Sequence, residues 1–195
     1  MQKRKIFTKP ELISLVTIFL LLIVIAIPNF MASLRRARDQ IRRDDLGALM
    51  QSLNGYNEYY GSYPLSSDDG KIIDCLRPGG FEPYIDEYEK WIFDTIGCEW
   101  GKDSFDNLET GFKYMNTLPS DPEEQKGYQY LYLSDGERYQ IFVAMEGKDE
   151  AEVDPKIINM GLMCGNKVCN VGRSYNCDLP KNLDQCEEEQ SLLQK

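Results

Sequence analysis

The chain carries one long apolar segment without a charge, from Leu12 to Ile27, which contains only two polar residues. Pro28 interrupts the segment, and residues 30–32 extend it. About 20 helical residues span roughly 30 Å, the thickness of a bilayer core. Because the segment has no polar stripe, it is unsuited to the interior of a soluble domain. A cleaved secretory signal peptide is an alternative, since basic residues begin the chain. However, no A-x-A cleavage site is evident, and a retained membrane anchor fits best.

The charge changes sign along the 195 residues. Residues 1–50 hold nine basic and four acidic side chains, whereas residues 51–195 hold 13 basic and 28 acidic ones. An acidic body repels phosphate, so no nucleic-acid partner is expected. The chain has no histidine, which excludes histidine-dependent catalysis and histidine-ligated metals. It also has no Gly-rich phosphate loop and no G-x-S-x-G, so we expect no enzymatic activity.

All six cysteines follow the apolar segment, and an even number clustered there predicts disulfides in an oxidising compartment. They are Cys75, Cys98, Cys164, Cys169, Cys177 and Cys186. Buried free thiols and a zinc site are the alternatives, although no C-x-x-C pair supports zinc. Basic residues flank both sides of the segment and leave its orientation balanced. The cysteines therefore favour an N-terminus inside and a body outside. We expect a Cys75–Cys98 bond, with the other four cysteines paired among themselves.

The pattern predicts one long helix from about Lys9 to Tyr60. Thr8 and Glu11 fit a capping box at its start, and Gly61 ends it. Pro28 should kink or loosen it. The second half is amphipathic and should pack on a globular domain. Its apolar positions are Leu34, Ala37, Ile41, Ala48, Leu49, Leu53, Tyr56 and Tyr60. Arginines also mark this half, and we expect them to contact lipid headgroups, acidic patches on neighbouring molecules, or solvent. They are Arg35, Arg36, Arg38, Arg42 and Arg43.

The rest of the chain predicts a small α+β domain. Two further helices are expected, over Tyr84–Ile96 and Phe105–Met115, followed by a rigid turn at Leu118–Pro122. A hairpin is predicted next, and a third strand after it. The hairpin strands are Tyr128–Leu133 and Arg138–Met145, and the third strand lies near Lys156–Leu162. Residues 163–185 should form a disulfide-stapled loop or short strands, and the segment from Glu187 onward a solvated tail.

Three motifs resemble the type IV filament family, that is, type IV pilins and the pseudopilins of type II secretion. The first is Phe7-Thr8-x-x-Glu11 followed by the apolar run and its Pro28. The second is Tyr59–Pro64, similar to the end of the long helix in that family. The third is Leu118–Pro122 followed by Gly127-Tyr128-x-Tyr130. The resemblance covers residues 1–64 and 118–145, and is thin elsewhere.

The resemblance implies a pilin fold with five segments. They are a leader at 1–6, a transmembrane or filament-core helix at 7–32, an amphipathic half at 33–63, an extracytoplasmic head at 64–190 and a flexible tail at 191–195. Expected partners are other pilin-like subunits in a homo- or hetero-oligomeric filament, the inner-membrane assembly machinery, a prepilin peptidase and membrane lipid. The protein would sit in the cytoplasmic membrane with its head outside, and at the cell surface or in the periplasm after assembly.

The resemblance also implies roles for single residues. The peptidase would cut before Phe7, which would then be N-methylated, but Ile6 stands where the family has Gly. Glu11 would pair with the new amine of Phe7 on a neighbouring subunit, and Pro28 would let the helix melt locally in a filament. If Ile6 blocks cleavage, the chain is instead an uncleaved, single-pass membrane-anchored binding protein, and Glu11 is a helix cap.

No resident cofactor is expected. Calcium, which the resemblance raises as a possibility, has only unspecific candidate ligands. These are Asp68, Asp69, Asp178 and Asp184, and ordinary turn acids explain them more simply.

Overall fold

A computed structural model describes residues 8–193, and the side chains of residues 8–188. The helices and strands within that range are α1 (Lys9–Tyr60), β1 (Ile73–Leu76), β2 (Tyr84–Ile85), β3 (Trp91–Ile92), β4 (Thr95–Gly97), β5 (Phe105–Asp106), β6 (Lys113–Met115), β7 (Leu131–Ser134), β8 (Tyr139–Val143), α2 (Pro155–Asn159), β9 (Met163–Cys164), β10 (Lys167–Val168), β11 (Val171–Tyr175) and α3 (Leu183–Leu193), with one 3-10 turn at Glu124–Lys126. The predicted α+β class is confirmed.

Helix α1 has the predicted bounds. The predicted capping box is present at its start, where the Thr8 N–H donates to Glu11 Oε2 at 2.7 Å. It ends where Gly61 adopts φ 72°, a left-handed conformation that glycine enters without steric cost, and the Gly61 N–H donates to the Asn57 carbonyl at 2.8 Å. The helix is continuous through Pro28. At 52 residues, it is about 78 Å long.

The central sheet has three antiparallel strands in the order β11-β8-β7. The predicted hairpin is confirmed as β7 and β8, and β8 is buried along its whole length. The third strand was wrongly placed. Residues 155–159 form α2 instead, because Asp154 caps its start by accepting the Lys156 N–H at 2.8 Å and Pro155 fits the first turn. The third strand is β11, which pairs with β8 from Val171 to Tyr175.

The two further helices predicted in the middle of the chain are wrong. Tyr84–Ile96 contains the hairpin β2–β3 and strand β4, and Phe105–Met115 contains the hairpin β5–β6. In the first, Asp86 accepts the backbone N–H groups of Tyr88 and Lys90, each at 2.9 Å. Such a turn uses up the backbone donors that a helix would need.

Three disulfides staple the head. Cys75–Cys98 joins β1 to the end of β4. Cys164–Cys169 closes the β9–β10 hairpin, and Cys177–Cys186 ties the chain after β11 to α3. The Cys75–Cys98 bond was expected, and the other four cysteines pair among themselves as expected, although their individual partners were not predicted. Helix α3 covers residues 191–193, which were expected to belong to the flexible tail.

The core lies between the second half of α1 and the central sheet. Leu46, Leu49 and Leu53 of α1 are at most 2% exposed and belong to one cluster with residues of the sheet. Other members of that cluster are Phe105, Leu118, Tyr130, Tyr132, Tyr139, Ile141, Val143 and Val171. The expected packing of the first apolar positions is wrong. Four of them face solvent, because the buried face of the helix begins at Asp39 and follows Arg42 and Leu46 instead. These four are Leu34, Ala37, Ile41 and Ala48.

Candidate functional site

The first half of α1 is an apolar surface that the rest of the described chain does not cover. Its most apolar 18-residue window has a mean hydropathy of 2.7, and none of that window is buried. Individual side chains there are widely exposed, for example Ile13 at 67% and Ile25 at 65%. Within residues 8–193, this is the one helix long and apolar enough to cross a membrane, judged by length and composition. A core helix of a soluble domain would be buried instead.

The apolar surface continues past this half as a narrow stripe. Leu34 is 39% and Ile41 45% exposed, and Ala37 and Ala48 are exposed as well. Leu34, Ile41 and Ala48 are seven residues apart, so they lie on one face of the helix, the spacing typical of helix–helix seams. The stripe lies on the second half of α1, whose other face is buried in the head.

The residues predicted to act in processing and assembly lie on the exposed half of α1 or outside the described range. Glu11 and Pro28 are both exposed on α1. Glu11 accepts the Thr8 N–H, so the capping box is present. Ile6 and Phe7 lie outside residues 8–193. The processing site and the pairing of Glu11 with a Phe7 amine therefore stay predictions.

Charged residues attach the helix to the head, and Arg42 is the central one. Its guanidinium forms a bidentate pair with Asp121, with Nε–Oδ2 and Nη2–Oδ1 distances of 2.7 Å, and both side chains are fully buried. Its remaining nitrogen donates to Asp39 Oδ1 at 2.7 Å. The ring of Tyr128 lies 4.9 Å from the guanidinium carbon. A buried charge is tolerated because these partners satisfy it.

Asp39 links the helix directly to the backbone of the head. Its two carboxylate oxygens accept the N–H groups of Glu146 and Gly147, each at 2.9 Å. Arg38 adds a bidentate pair with Glu146, with both N–O distances at 2.6 Å. The chain just after β8 is thus held by two successive residues of α1.

Arg43 completes the junction at its edge. It donates to Glu150 at 2.7 Å and to Glu152 at 2.9 Å, and these side chains remain partly exposed. We call the group formed by Arg38, Asp39, Arg42 and Arg43 with their head partners the junction cluster.

The expected roles of the arginines therefore need correction. Arg38, Arg42 and Arg43 pair with acids of their own head rather than with lipid, neighbours or solvent, because the helix face that carries them turns inward. Arg36 is exposed, and Arg35 and Arg36 form no ion pair within the described part of the chain. Sequence reasoning missed Asp39, Asp121 and Glu146 as their partners. The one local signal was the three-residue spacing of Asp39 and Arg42 on a helix.

The charges of the junction cluster shift its pKa values as ion pairs should. Burial alone would lower the pKa of Arg42, but its hydrogen bonds to Asp121, Asp39 and Glu146 raise it above the usual value. The hydrogen bond from Arg38 lowers the pKa of Glu146. Arg42 and Glu146 are therefore both stabilised in their charged forms.

The described residues bring no group of three or more metal-ligating side chains together. Among the calcium candidates, Asp69 pairs with Lys71 at 2.8 Å, Asp68 is exposed in the same turn, Asp178 is exposed before α3, and Asp184 lies in the first turn of α3.

Fold and site define a class in structural terms: an α+β head with three disulfides, carried on one long helix whose apolar half the described chain leaves uncovered. No family model, curated protein or solved structure matches this chain.

Proposed function

We propose that this protein is a structural subunit of a type IV pilus or a type II secretion pseudopilus and assembles through its N-terminal helix. The observation that carries the proposal is the division of α1. One half is apolar and exposed, while the other half is fixed to a folded head. Before assembly, the apolar half would span the cytoplasmic membrane with the head outside. In a filament, the same half would be covered by the helices of other subunits.

The exposed stripe supports assembly over a membrane anchor alone. An anchor needs about 20 apolar residues to cross the bilayer. The positions Leu34, Ala37, Ile41 and Ala48 lie beyond such a span, yet they stay apolar and uncovered. Neighbouring helices that reach as far as Ala48 would cover them. A hetero-oligomeric arrangement with other pilin-like subunits would bury the same stripe.

Two substitutions separate the proposed roles of Glu11. Glu11→Gln keeps an oxygen that can accept the Thr8 N–H, since glutamine also serves in a capping box, but it removes the charge. Thr8→Ala weakens the cap and keeps the charge. If Glu11 pairs with a Phe7 amine during assembly, Glu11→Gln will strongly reduce the protein recovered in sheared surface filaments, and Thr8→Ala will reduce it less.

The assembly experiment compares sheared surface material, periplasmic filaments and membranes, with mass spectrometry of the N-terminus in each. A peptide that begins at methylated Phe7 in filaments is the expected result. Its recovery would show that a prepilin peptidase accepts Ile6. Full-length protein confined to membranes, with Glu11→Gln unchanged from the wild type, would contradict the proposal.

A second candidate is an uncleaved, single-pass membrane-anchored binding protein. Ile6 favours it, because a bulky β-branched residue stands where the resembling family has Gly. The capping box also gives Glu11 a role that needs no free amine. In this case, the head would act at the membrane surface, and a peptide retaining residues 3–6 would be recovered from membranes alone.

A further inference from the structure

The β2–β3 hairpin and the residues around it form an exposed apolar surface on the head. Five large apolar side chains between residues 81 and 91 are at least 43% exposed. They are Phe81, Tyr84, Ile85, Tyr88 and Trp91. Ile85 pairs with Trp91 and Tyr84 with Ile92, so both faces of the hairpin carry apolar residues. A two-stranded hairpin is marginally stable alone, and an exposed apolar patch indicates an interaction surface. We call residues 81–91 the aromatic hairpin.

The tip of the aromatic hairpin is acidic. Residues 82–90 hold four acidic side chains and one lysine. Glu87 and Glu89 are exposed on either side of Tyr88, which is 74% exposed. Neither glutamate forms an ion pair within residues 8–188. A partner of this surface should therefore combine apolar and basic residues.

Such a combination lies on α1 shortly before Asp39, where the buried part of the helix begins. Ile27, Met31 and Arg35 are four residues apart and share one face of the helix. Ile27 is 56% and Met31 58% exposed, and Arg35 is half-buried. We call these three residues the stem face.

Arg35 has an unmet hydrogen-bonding need. Its Nε is shielded from solvent and has no hydrogen-bond partner. The residue also forms no ion pair in the part of the chain whose side chains are described. A guanidinium partly removed from water without an acceptor is costly. The stem face therefore fits a surface that brings carboxylates together with apolar side chains.

The aromatic hairpin and the stem face are far apart within one molecule. Trp91 of the hairpin lines a cleft together with Tyr59 and Tyr60, at the end of α1. Arg35 precedes Tyr59 by 24 residues, which is about 36 Å along the helix. A contact between the two surfaces therefore needs a second copy, displaced by about that distance along the helix axis.

We propose that the aromatic hairpin of one copy docks on the stem face of a second copy, with Arg35 pairing with the glutamates of the tip. The inference rests on the proposed function, because the displaced copy must have left the bilayer. Met31 would pack against the aromatic rings, a contact that thioethers favour. Residues 51–195 hold 28 acidic and 13 basic side chains, so two heads repel each other and a head-to-stem contact is favoured. The interface is heterologous and includes a translation, so it extends into a filament rather than closing into a ring.

The first test is crosslinking in the full chain. The photo-crosslinking amino acid benzoylphenylalanine replaces Tyr88, and sheared filaments are compared with membranes. Copies anchored in one bilayer lie at the same depth, so their hairpins and stem faces stay about 36 Å apart. We expect crosslinks to residues 27–38 of another copy in filaments and none in membranes. The same label in place of Phe112, which is 63% exposed between β5 and β6, is the matched control and should not reach that segment.

The second test reverses charges. Arg35→Glu should lower the protein recovered in sheared filaments about 10-fold or more, because it brings like charges together. Arg36→Glu makes the same change on the next residue, about 100° around the helix, and should assemble as the wild type does. The double variant Glu87→Lys and Glu89→Lys should also lose filaments. Combining it with Arg35→Glu should restore part of them.

The outcomes separate this inference from the proposed function. If the wild-type chain forms no filaments, both fail. If filaments form, but Arg35→Glu assembles as well as Arg36→Glu and the label at position 88 crosslinks elsewhere, the inference alone fails. Crosslinks to a different protein would overturn the second copy as the partner, and equal crosslinking in membranes would overturn the displacement. If Arg35→Glu does not fold, the crosslinks from position 88 still decide.

Discussion

The two halves of α1 reverse the usual relation between side-chain chemistry and burial. The half that is almost wholly apolar is exposed, whereas the half that carries Arg38, Asp39, Arg42 and Arg43 is packed into the head. The charged half can be buried because each inward charge is paired with an acidic or basic group of the head or of the helix itself. Leu46, Leu49 and Leu53 supply the apolar contacts between this half and the sheet. The apolar half has no partner within the described residues. Under the proposed function, a bilayer or the helices of other subunits would cover it.

The largest effect is expected at the centre of the junction cluster. Arg42→Ala leaves Asp39 and Asp121 buried without their cation, and we expect a loss of about 3–5 kcal/mol in the free energy of unfolding. Arg36→Ala, six residues earlier on the same helix but exposed, should change the free energy of unfolding by less than about 0.5 kcal/mol. Denaturant unfolding of the full chain in maltoside micelles measures both. Equal losses of stability in the two variants would contradict the view that the buried ion pairs fix the helix to the head.

Truncating one leucine in each half of α1 tests the same difference in burial. Leu53 is fully buried, and Leu53→Ala should cost about 3 kcal/mol through lost burial and the cavity left behind. Leu21 is 59% exposed, and Leu21→Ala should leave the unfolding of the head unchanged. The same denaturation experiment applies. A destabilised head in Leu21→Ala would show that the exposed half contacts it.

The pH dependence of stability should have opposite signs at two acids. The pKa of Asp74 is raised to about 8 in the folded state, so the folded chain holds a proton that the unfolded chain has lost, and stability falls as pH rises towards 8. From about pH 5 to about pH 8.5, the wild type should lose about 2 kcal/mol relative to Asp74→Asn. Thermal unfolding across this range checks it, and parallel curves would contradict the prediction.

Glu146 behaves in the opposite way. Its pKa is lowered, chiefly by the hydrogen bond from Arg38, so its contribution is present above the unfolded pKa and is lost as pH falls through the folded one. Glu146→Gln should therefore flatten the acid side of the wild-type stability curve below about pH 4.5. An unchanged acid limb in this variant would argue against the pairing.

The smallest effect is expected at the exposed edge of the junction cluster. Arg43 pairs with Glu150 and Glu152, but these side chains are between 22% and 30% exposed. Arg43→Ala should cost about 0.5–1 kcal/mol, and added salt should shrink the difference. A loss as large as that of Arg42→Ala would mean that burial does not determine how much each ion pair contributes to stability.

The sequence predicted the features that depend on local signals. The apolar run, the Thr8–Glu11 cap and Gly61 defined α1, and alternating aromatic residues on either side of a turn defined β7 and β8. The Cys75–Cys98 pair followed from the grouping of the cysteines. The helices predicted over 84–96 and 105–115 are wrong because the prediction used the spacing of apolar residues and did not take into account the turn-forming residues within each segment. Asn107 accepts the N–H groups of Glu109 and Thr110 at 3.1 and 2.9 Å, as Asp86 does in the first hairpin.

The candidate sites depended on contacts distant in sequence. Arg42 and Asp121 are 79 residues apart, and no local pattern connects them. For the same reason, the sequence analysis assigned the arginines of α1 to lipid, neighbouring molecules or solvent rather than to acids of their own head. Local sequence signals therefore predicted α1, β7 and β8, whereas the ion pairs of the junction cluster depend on the tertiary fold.

The position of the junction cluster has a mechanical consequence. An α1 that projects from the head behaves as a cantilever, and a sideways load on its free end produces the largest bending moment at the root. Asp39 is the first buried residue along the helix and marks that root. The bidentate pairs of Arg38 and Arg42 lie there, where the bending moment is greatest, and their defined geometry opposes tilting of the head relative to the helix. Because the head is fixed at this point, bending of the helix changes the orientation of the head.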